Sequence, residues 1–170
     1  AIEVGNIFPL GTKYTQALNV QFTDTEDKKQ HVIMGSYGIG LGRLIGTVVE
    51  TLSDERGIVW PASLSPFDVH LIRLGEGESV TRQADELYES LCGSGLEVFY
   101  DDRHEPAGVK FADADLIGIS VQVVVSEKNI AAGQIEGKNR QTGEVIMWGE
   151  QEAHNGAIGE YVNTLKQALG

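Results

Sequence analysis

Four glycines within Met34–Arg43 (MGSYGIGLGR) restrict what this chain can fold into more than any other stretch. His31-Val32-Ile33-Met34, just before the glycines, is apolar enough for a buried strand. After them, Leu44, Ile45, Val48, Val49 and Leu52 recur at the three- and four-residue spacing of a helix with one buried face. The stretch therefore reads as a strand turning into a helix, with Gly35, Gly38, Gly40 and Gly42 at the junction. Glycine permits positive φ there, or close approach of the backbone to another group. Arg43, opening the helix, offers a planar and permanent cation to a phosphate or carboxylate. Gly38-x-Gly40-x-x-Arg43 fails the dinucleotide fingerprint, because arginine replaces the third glycine. Taken alone, the segment fits both a nucleotide-contacting turn and a glycine turn needed only for helix–strand packing.

Upstream, Glu3–Tyr14 reads as a strand interrupted by glycines, residues 17–23 alternate as a second strand, and Thr23–Lys29 is a charged hairpin loop. Successive antiparallel strands closed by a helix are the expected result. Asp54-Glu55-Arg56-Gly57 through Pro66 carries two prolines, small residues and a short strand at Ile58–Trp60, which mark a linker. Beyond it the period changes, giving a strand at Val69–Leu74, a helix at Val80–Leu91, a strand at Leu96–Tyr100 and a helix at Lys110–Ile117. Val121–Val125 is the continuous apolar run expected of a central strand buried on both faces. Ile135–Arg140 and Glu144–Met147 form a hairpin around Gln141-Thr142-Gly143, and Ile158–Leu169 is a closing helix. This alternation predicts a small α/β domain of about five strands with helices on both faces.

With 170 residues, 41% of them apolar, the chain supports one full domain and part of another. The net charge is −12, and it is uneven: five cations face seven carboxylates up to Phe67, but eight face eighteen after it. Nonspecific RNA affinity rests on cations at phosphates, so the second part is expected to bind RNA weakly by itself and to lose that binding with salt. No apolar run approaches about 18 residues and no basic leader precedes an apolar core, so neither a membrane span nor a signal peptide is expected. The lone Cys92 excludes an internal disulfide and reads as a small core residue of its helix. His31, His70, His104 and His154 lack metal-ligand spacing, so no metal site is expected.

Several motifs in order carry a resemblance. EVGNIFPLGTKYT, MGSYGIGLGR, DERGIVWP and SPFDVH are similar to the end of the catalytic domain of the prolyl-tRNA synthetase family. VFYDDR and GVKFADADLIGI resemble the anticodon-binding domain that follows it in that family. The fold so implied is part of an antiparallel class II catalytic sheet plus a helix over residues 1–66. A five-stranded mixed α/β anticodon-binding domain over residues 67–170 completes it.

The activity implied is that of a class II aminoacyl-tRNA synthetase, which activates proline with ATP and transfers it to proline tRNA. Gly35–Arg43 is then the third class-defining motif: Gly38 and Gly40 let ATP lie close to the backbone, and Arg43 is the catalytic cation on its phosphates. Asn6, Thr12 and Ser36 match positions that line the proline pocket. Many members carry His in place of Asn6 and Cys in place of Ser36, and the residues here keep hydrogen-bonding capacity. Asp101, Asp102, Arg103, Lys110 and Phe111 match the anticodon-reading positions. Carboxylates accept from guanine N1 and N2, arginine donates to O6 and N7, and a ring stacks on an unpaired base. Lys138 and Arg140 are further phosphate contacts in this reading.

The resemblance also implies ATP as substrate, with magnesium in the full enzyme and no tightly bound cofactor in this chain. It implies proline tRNA and an upstream catalytic domain as partners, a homodimer in the full enzyme and a cytoplasmic location. The first two class-defining motifs are missing from this sequence, so the chain alone is expected to be inactive, since converging catalytic groups act non-additively. The alternative, from a different class, is a noncatalytic anticodon-binding-like interaction or regulatory module. The acidic balance and Glu105-Pro106-Ala107, where E-R-P is usual in the family, favour it.

Overall fold

The computed structural model describes residues 1–168, which divide into two compact units, one ending at Glu50 and one beginning at Thr51. In the first, β1 (Gly5–Gly11) pairs antiparallel with β4 (Met34–Ile39), and β2 (Gln21–Thr23) with β3 (Lys29–His31). Two helices, α1 (Lys13–Ala17) and α2 (Leu41–Thr51), follow β1 and β4. The glycine junction is shorter than the sequence suggests. Gly35 and Gly38 lie inside β4, opposite Pro9 and Asn6, and none of Gly35, Gly38, Gly40 and Gly42 takes positive φ. Gly40 alone stands at the turn, where a Cβ would lie 2.8 Å from Arg43 Nε.

Residues 17–23 are not one strand, because the chain first coils through α1 and then turns at Asn19, whose φ is 51°. The anchor is Thr15, buried, whose hydroxyl donates to the Val32 carbonyl at 2.7 Å and ties the helical turn to the approach to β4. Among the described residues of this unit only Thr15 and Val48 are buried, while Ile7, Tyr37, Ile39, Leu41 and Ile45 are each more than half exposed. Two-stranded ribbons without a core are marginal in water by themselves.

The second unit is built on a five-stranded sheet in the order β11-β10-β9-β7-β8. β7 (Val69–Leu74) runs parallel to β8 (Val98–Asp101) and to β9 (Val121–Ser126), whereas β10 (Gln134–Asn139) and β11 (Val145–Gly149) are antiparallel. Alternation along β7 and β9 sends residues to two cores. Val69, Leu71, Val121 and Val123 meet Val80, Ala84, Leu87 and Leu91 of α3 (Glu78–Gly93). Ile158 and Val162 of α7 (Ile158–Gln167) close that face; Leu169, expected in this helix, lies outside the described residues. Ile72 and Val124 point the other way, against Ala114 and Phe111 of α4 (Ala107–Ile117). Each fully buried leucine contributes about 2 kcal/mol by removing apolar area from water. Short helices α5 (Glu127–Ala131) and α6 (Glu150–Glu152), and a wider-turned stretch at Ala153–Ala157, complete the unit. Cys92 is exposed, not in the core: it follows the buried Leu91, and one residue along a helix rotates the side chain by about 100°.

Residues 54–66, which the sequence presents as a linker, pack on the α/β unit. A small hairpin of β5 (Ser53–Asp54) and β6 (Gly57–Ile58) lies against the end of α4. Trp60 Nε1 donates to the Ile117 carbonyl at 3.0 Å, which satisfies an orphan carbonyl at the end of α4, and Ser120 Oγ donates to the Trp60 carbonyl at 2.9 Å. At Gly118, with φ 78°, a Cβ would stand 2.0 Å from the Ile58 carbonyl oxygen, so only glycine fits.

Candidate nucleic-acid interface

The strand order leaves β8 at the edge of the sheet, with α4 beside its carboxyl end. Alternation along β8 turns Val98 and Tyr100 toward the α3 core and Phe99 and Asp101 toward α4. Between them is a cleft of about 370 Å³ lined by Phe99, Asp101, Arg103, Asp113, Leu116 and Ile117. Phe99 and Leu116 expose apolar surface there, and behind Phe99 the buried His70 ring meets it edge-on with centroids 4.9 Å apart. Among the described residues neither ring nitrogen of His70 has a partner, and burial pushes its pKa down to about 4, so the ring is neutral.

Charge is concentrated at one end of this cleft. Arg103 donates from Nε to Asp101 Oδ1 at 2.9 Å and from Nη2 to Asp101 Oδ2 at 2.7 Å, and the same Nη2 reaches Asp113 Oδ2 at 2.8 Å. That fork holds the Asp101 carboxyl below its ordinary range, even though burial opposes ionisation. The two carboxylates in turn push the guanidinium pKa up, so Arg103 is a fixed cation, half exposed.

Two of the expected anticodon contacts are buried instead. Lys110 is 2% exposed, and its Nζ donates to the carbonyls of Arg73 at 2.7 Å and Asp101 at 3.2 Å. Burial pushes the Lys110 ammonium down against the pull of Asp101, 3.7 Å away. The Asp101 carboxylate is as buried, and both its oxygens are engaged by Arg103. These side chains brace the cleft and have no face for a base. Phe111, expected as the stacking ring, is partly buried and packs against Ile72 and Val124. Asp102 is exposed, with its carbonyl accepting from Arg73 Nη2 at 2.7 Å.

Sequence reasoning missed Phe99, Asp113 and Leu116. A signal was available: period two along β8 puts Phe99 with Asp101, and Asp113 and Leu116 share a helical face at a spacing of three.

Lys138 and Arg140 are also committed, so neither is free for a phosphate. Arg140 is 1% exposed and grips Asp54 with two bonds of 2.7 and 2.8 Å, while its Nε donates to the Asp115 carbonyl at 3.1 Å. Lys138 pairs with Asp115 at 3.2 Å, as Arg56 does at 3.1 Å.

In the first unit, the β1–β4 register sets Asn6 opposite Gly38 and Phe8 opposite Ser36, so Asn6, Ser36 and Gly38 share one face of the ribbon. Arg43 is drawn toward the same end: Glu3 Oε1 lies 3.6 Å from its Nη1 and accepts from Asn6 Nδ2 at 2.6 Å. Space over Gly38 is open, since a Cβ there would meet nothing within 4 Å. Thr12 stands at the start of α1, where its carbonyl accepts from the Gln16 amide at 2.9 Å. Among the described residues no three His, Cys, Asp or Glu side chains gather to hold a metal ion, and no helix is long and apolar enough to cross a membrane.

A proline–tRNA ligase of Geobacillus sp. (strain WCH70) is 47% identical over 169 residues, which cover 99% of this chain and 28% of the relative. One from Staphylococcus saprophyticus is 48% identical over 165 residues, covering 96% and 28%. The chain thus spans a little over a quarter of the length of these curated relatives. Among solved structures, a Cryptosporidium parvum prolyl-tRNA synthetase complexed with L-proline and AMP shares the fold. Its TM-score is 0.83 at 22% identity, over 98% of this chain and 36% of that one. The prolyl-tRNA synthetase of Giardia lamblia in complex with prolyl-adenylate gives 0.80 at 20% identity, over 98% and 38%. Residues 68–167, more than half of the chain, match the anticodon binding domain family, and the chain belongs to that family.

Proposed function

We propose that this chain supplies the anticodon-reading part, and a portion of the ATP and proline site, of a proline–tRNA ligase acting in the cytoplasm. One observation carries the reading: the β8–α4 cleft joins apolar surface from Phe99 and Leu116 to the Asp101–Arg103–Asp113 cluster, within the segment that matches the anticodon binding domain. Unpaired bases stack on apolar and aromatic surface and donate or accept at their edges, and the cleft offers both. Arg103 and Asp102 are the expected contacts with exposed side chains, and Phe111 is partly buried.

In the first unit, Arg43 is a half-exposed fixed cation suited to the phosphates of ATP, and Gly38 leaves room over the ribbon beside Asn6 and Ser36. Proline and ATP binding, a homodimer and magnesium belong to the whole enzyme. The chain alone is expected to form no prolyl-adenylate.

The test is a filter-binding titration of the full chain with proline tRNA and with a tRNA whose anticodon guanines are replaced, repeated with Arg103→Ala. Binding that weakens about tenfold or more on either change supports the reading. Equal binding to both tRNAs, or none at low salt, contradicts it and favours the noncatalytic interaction module.

A further inference from the structure

We propose that Asn155-Gly156 is a site of spontaneous covalent modification. Asn155 cyclises onto the next backbone amide and opens to aspartate or isoaspartate, and the isoaspartate loosens α7 from the core.

The chemistry needs an asparagine whose following nitrogen is unshielded. Six asparagines occur in the chain, and four precede a β-branched residue: Asn6 precedes Ile7, Asn19 Val20, Asn129 Ile130 and Asn163 Thr164. Two heavy atoms on Cβ crowd the amide that would have to attack. Asn139, followed by Arg140, is buried, and its Oδ1 accepts from the amides of Gln141 at 2.9 Å and Thr142 at 3.1 Å. Asn155 alone precedes glycine. It is exposed, its side chain has no hydrogen-bond partner among the described residues, and a Cβ at Gly156 would meet nothing within 4 Å.

The backbone meets a second condition. In a continuous helix the hydrogen-bond ladder fixes ψ, which keeps the side-chain carbonyl carbon clear of the next nitrogen. Gly156, with φ 106° and ψ 0°, leaves the helical region and breaks the run between α6 and α7. Asn155 is therefore the last residue of a turn, where local opening costs less than in a helix interior. Both sides of this break are anchored. Ala153 and Ile158 are buried in the core that holds α3, and Ser90 Oγ donates to the His154 carbonyl at 2.9 Å.

The step balances with water as the sole co-reactant. The Gly156 nitrogen attacks Asn155 Cγ and gives up its proton, the Cγ–Nδ2 bond breaks, and ammonia leaves a five-membered imide. Water then adds to one of the two imide carbonyls. Opening at Cγ leaves aspartate. Opening at the main-chain carbonyl leaves isoaspartate, whose chain runs through the former side chain and is one methylene longer. An exposed aspartate disturbs little. The added methylene falls between the anchors Ala153 and Ile158, so seating both costs packing or backbone strain.

The experiment incubates the full chain below its melting temperature at mildly acidic and mildly alkaline pH, with a parallel sample in urea. Peptide mapping by mass spectrometry follows each asparagine. Aspartate and isoaspartate are expected in place of Asn155, faster at alkaline pH because the attacking amide must lose its proton. The rate in the folded chain is expected to lie within about tenfold of that in urea. The other asparagines are expected to stay intact over the same time. Asn155 intact in the folded chain while it converts in urea, or another asparagine converting as fast, overturns the site. Chromatography then separates the isoaspartyl form, and thermal melts compare it with fresh chain and with Asn155→Asp. The isoaspartyl form is expected to melt lower, and Asn155→Asp to melt with the fresh chain. Equal melting of the isoaspartyl form overturns the effect on α7. Asn155→Gln, whose longer side chain cyclises far more slowly, is expected to keep its melting temperature through the incubation. A loss equal to that of the unaltered chain overturns the assignment.

Discussion

His70 shows how one side chain ties the cleft to the stability of the fold. It is 1% exposed on β7, with no hydrogen-bond partner for either nitrogen among the described residues, and its ring supports Phe99 from behind. Burial lowers its pKa from 6.5 to about 4, so the unfolded chain takes up a proton in that interval and the folded chain does not. The unfolded state binds more protons there, and stability must fall as pH falls. Urea unfolding of the full chain is expected to lose about 1.4 kcal/mol per pH unit between pH 6.5 and 4, or about 3 kcal/mol in all. His70→Phe removes that slope. Asp101 and Asp54, held below 3.8 by Arg103 and Arg140, contribute stability that is lost only at lower pH, as it falls through their folded pKa values. A slope unchanged by His70→Phe would contradict this assignment.

Between elements, the decisive contact is the β5–β6 hairpin against the end of α4. Backbone meets backbone at Gly118, and Arg140 pins Asp54 alongside. Gly118→Ala adds a Cβ where φ is 78° and a carbonyl oxygen is 2.0 Å away, so it is expected to destabilise the second unit by more than about 3 kcal/mol in denaturant titration. A cost below about 1 kcal/mol would show that the hairpin does not hold α4.

The same contact marks the limit of what could be read from the sequence. β7, α3 and β9 were legible because an apolar run and a helical period name their own buried faces. Residues 54–66 looked like a linker because Pro61, Pro66 and small residues usually are one; nothing local reveals that Trp60 and Gly57 find partners on α4. Lys110 and Arg140 were misplaced for the same reason. A cation is normally solvated, and its burial depends on carbonyls and carboxylates far along the chain. The glycine run misled in the opposite sense: Gly35 and Gly38 looked like a turn, and pairing with β1 made them strand.

At the scale of the molecule, the two units differ in kind. The first presents its large apolar side chains to the surface, as a part of a larger sheet would, while the second has two complete cores. The second is also the acidic one. Among its described residues, Lys128 is the lysine or arginine whose side chain has no ion-pair or hydrogen-bond partner. RNA held by such a unit must be held mainly by base contacts, so, unlike the salt-sensitive binding that the charge balance suggests, its affinity should change little with salt compared with a phosphate-tracking protein. Amide hydrogen exchange of the full chain, with and without proline tRNA at about 50 and 200 mM salt, tests this most directly. The account predicts protection confined to Val98–His104 and Phe111–Ile117 and retained at the higher salt. Protection on α3 or on the β10–β11 hairpin, with the cleft unchanged, would contradict it.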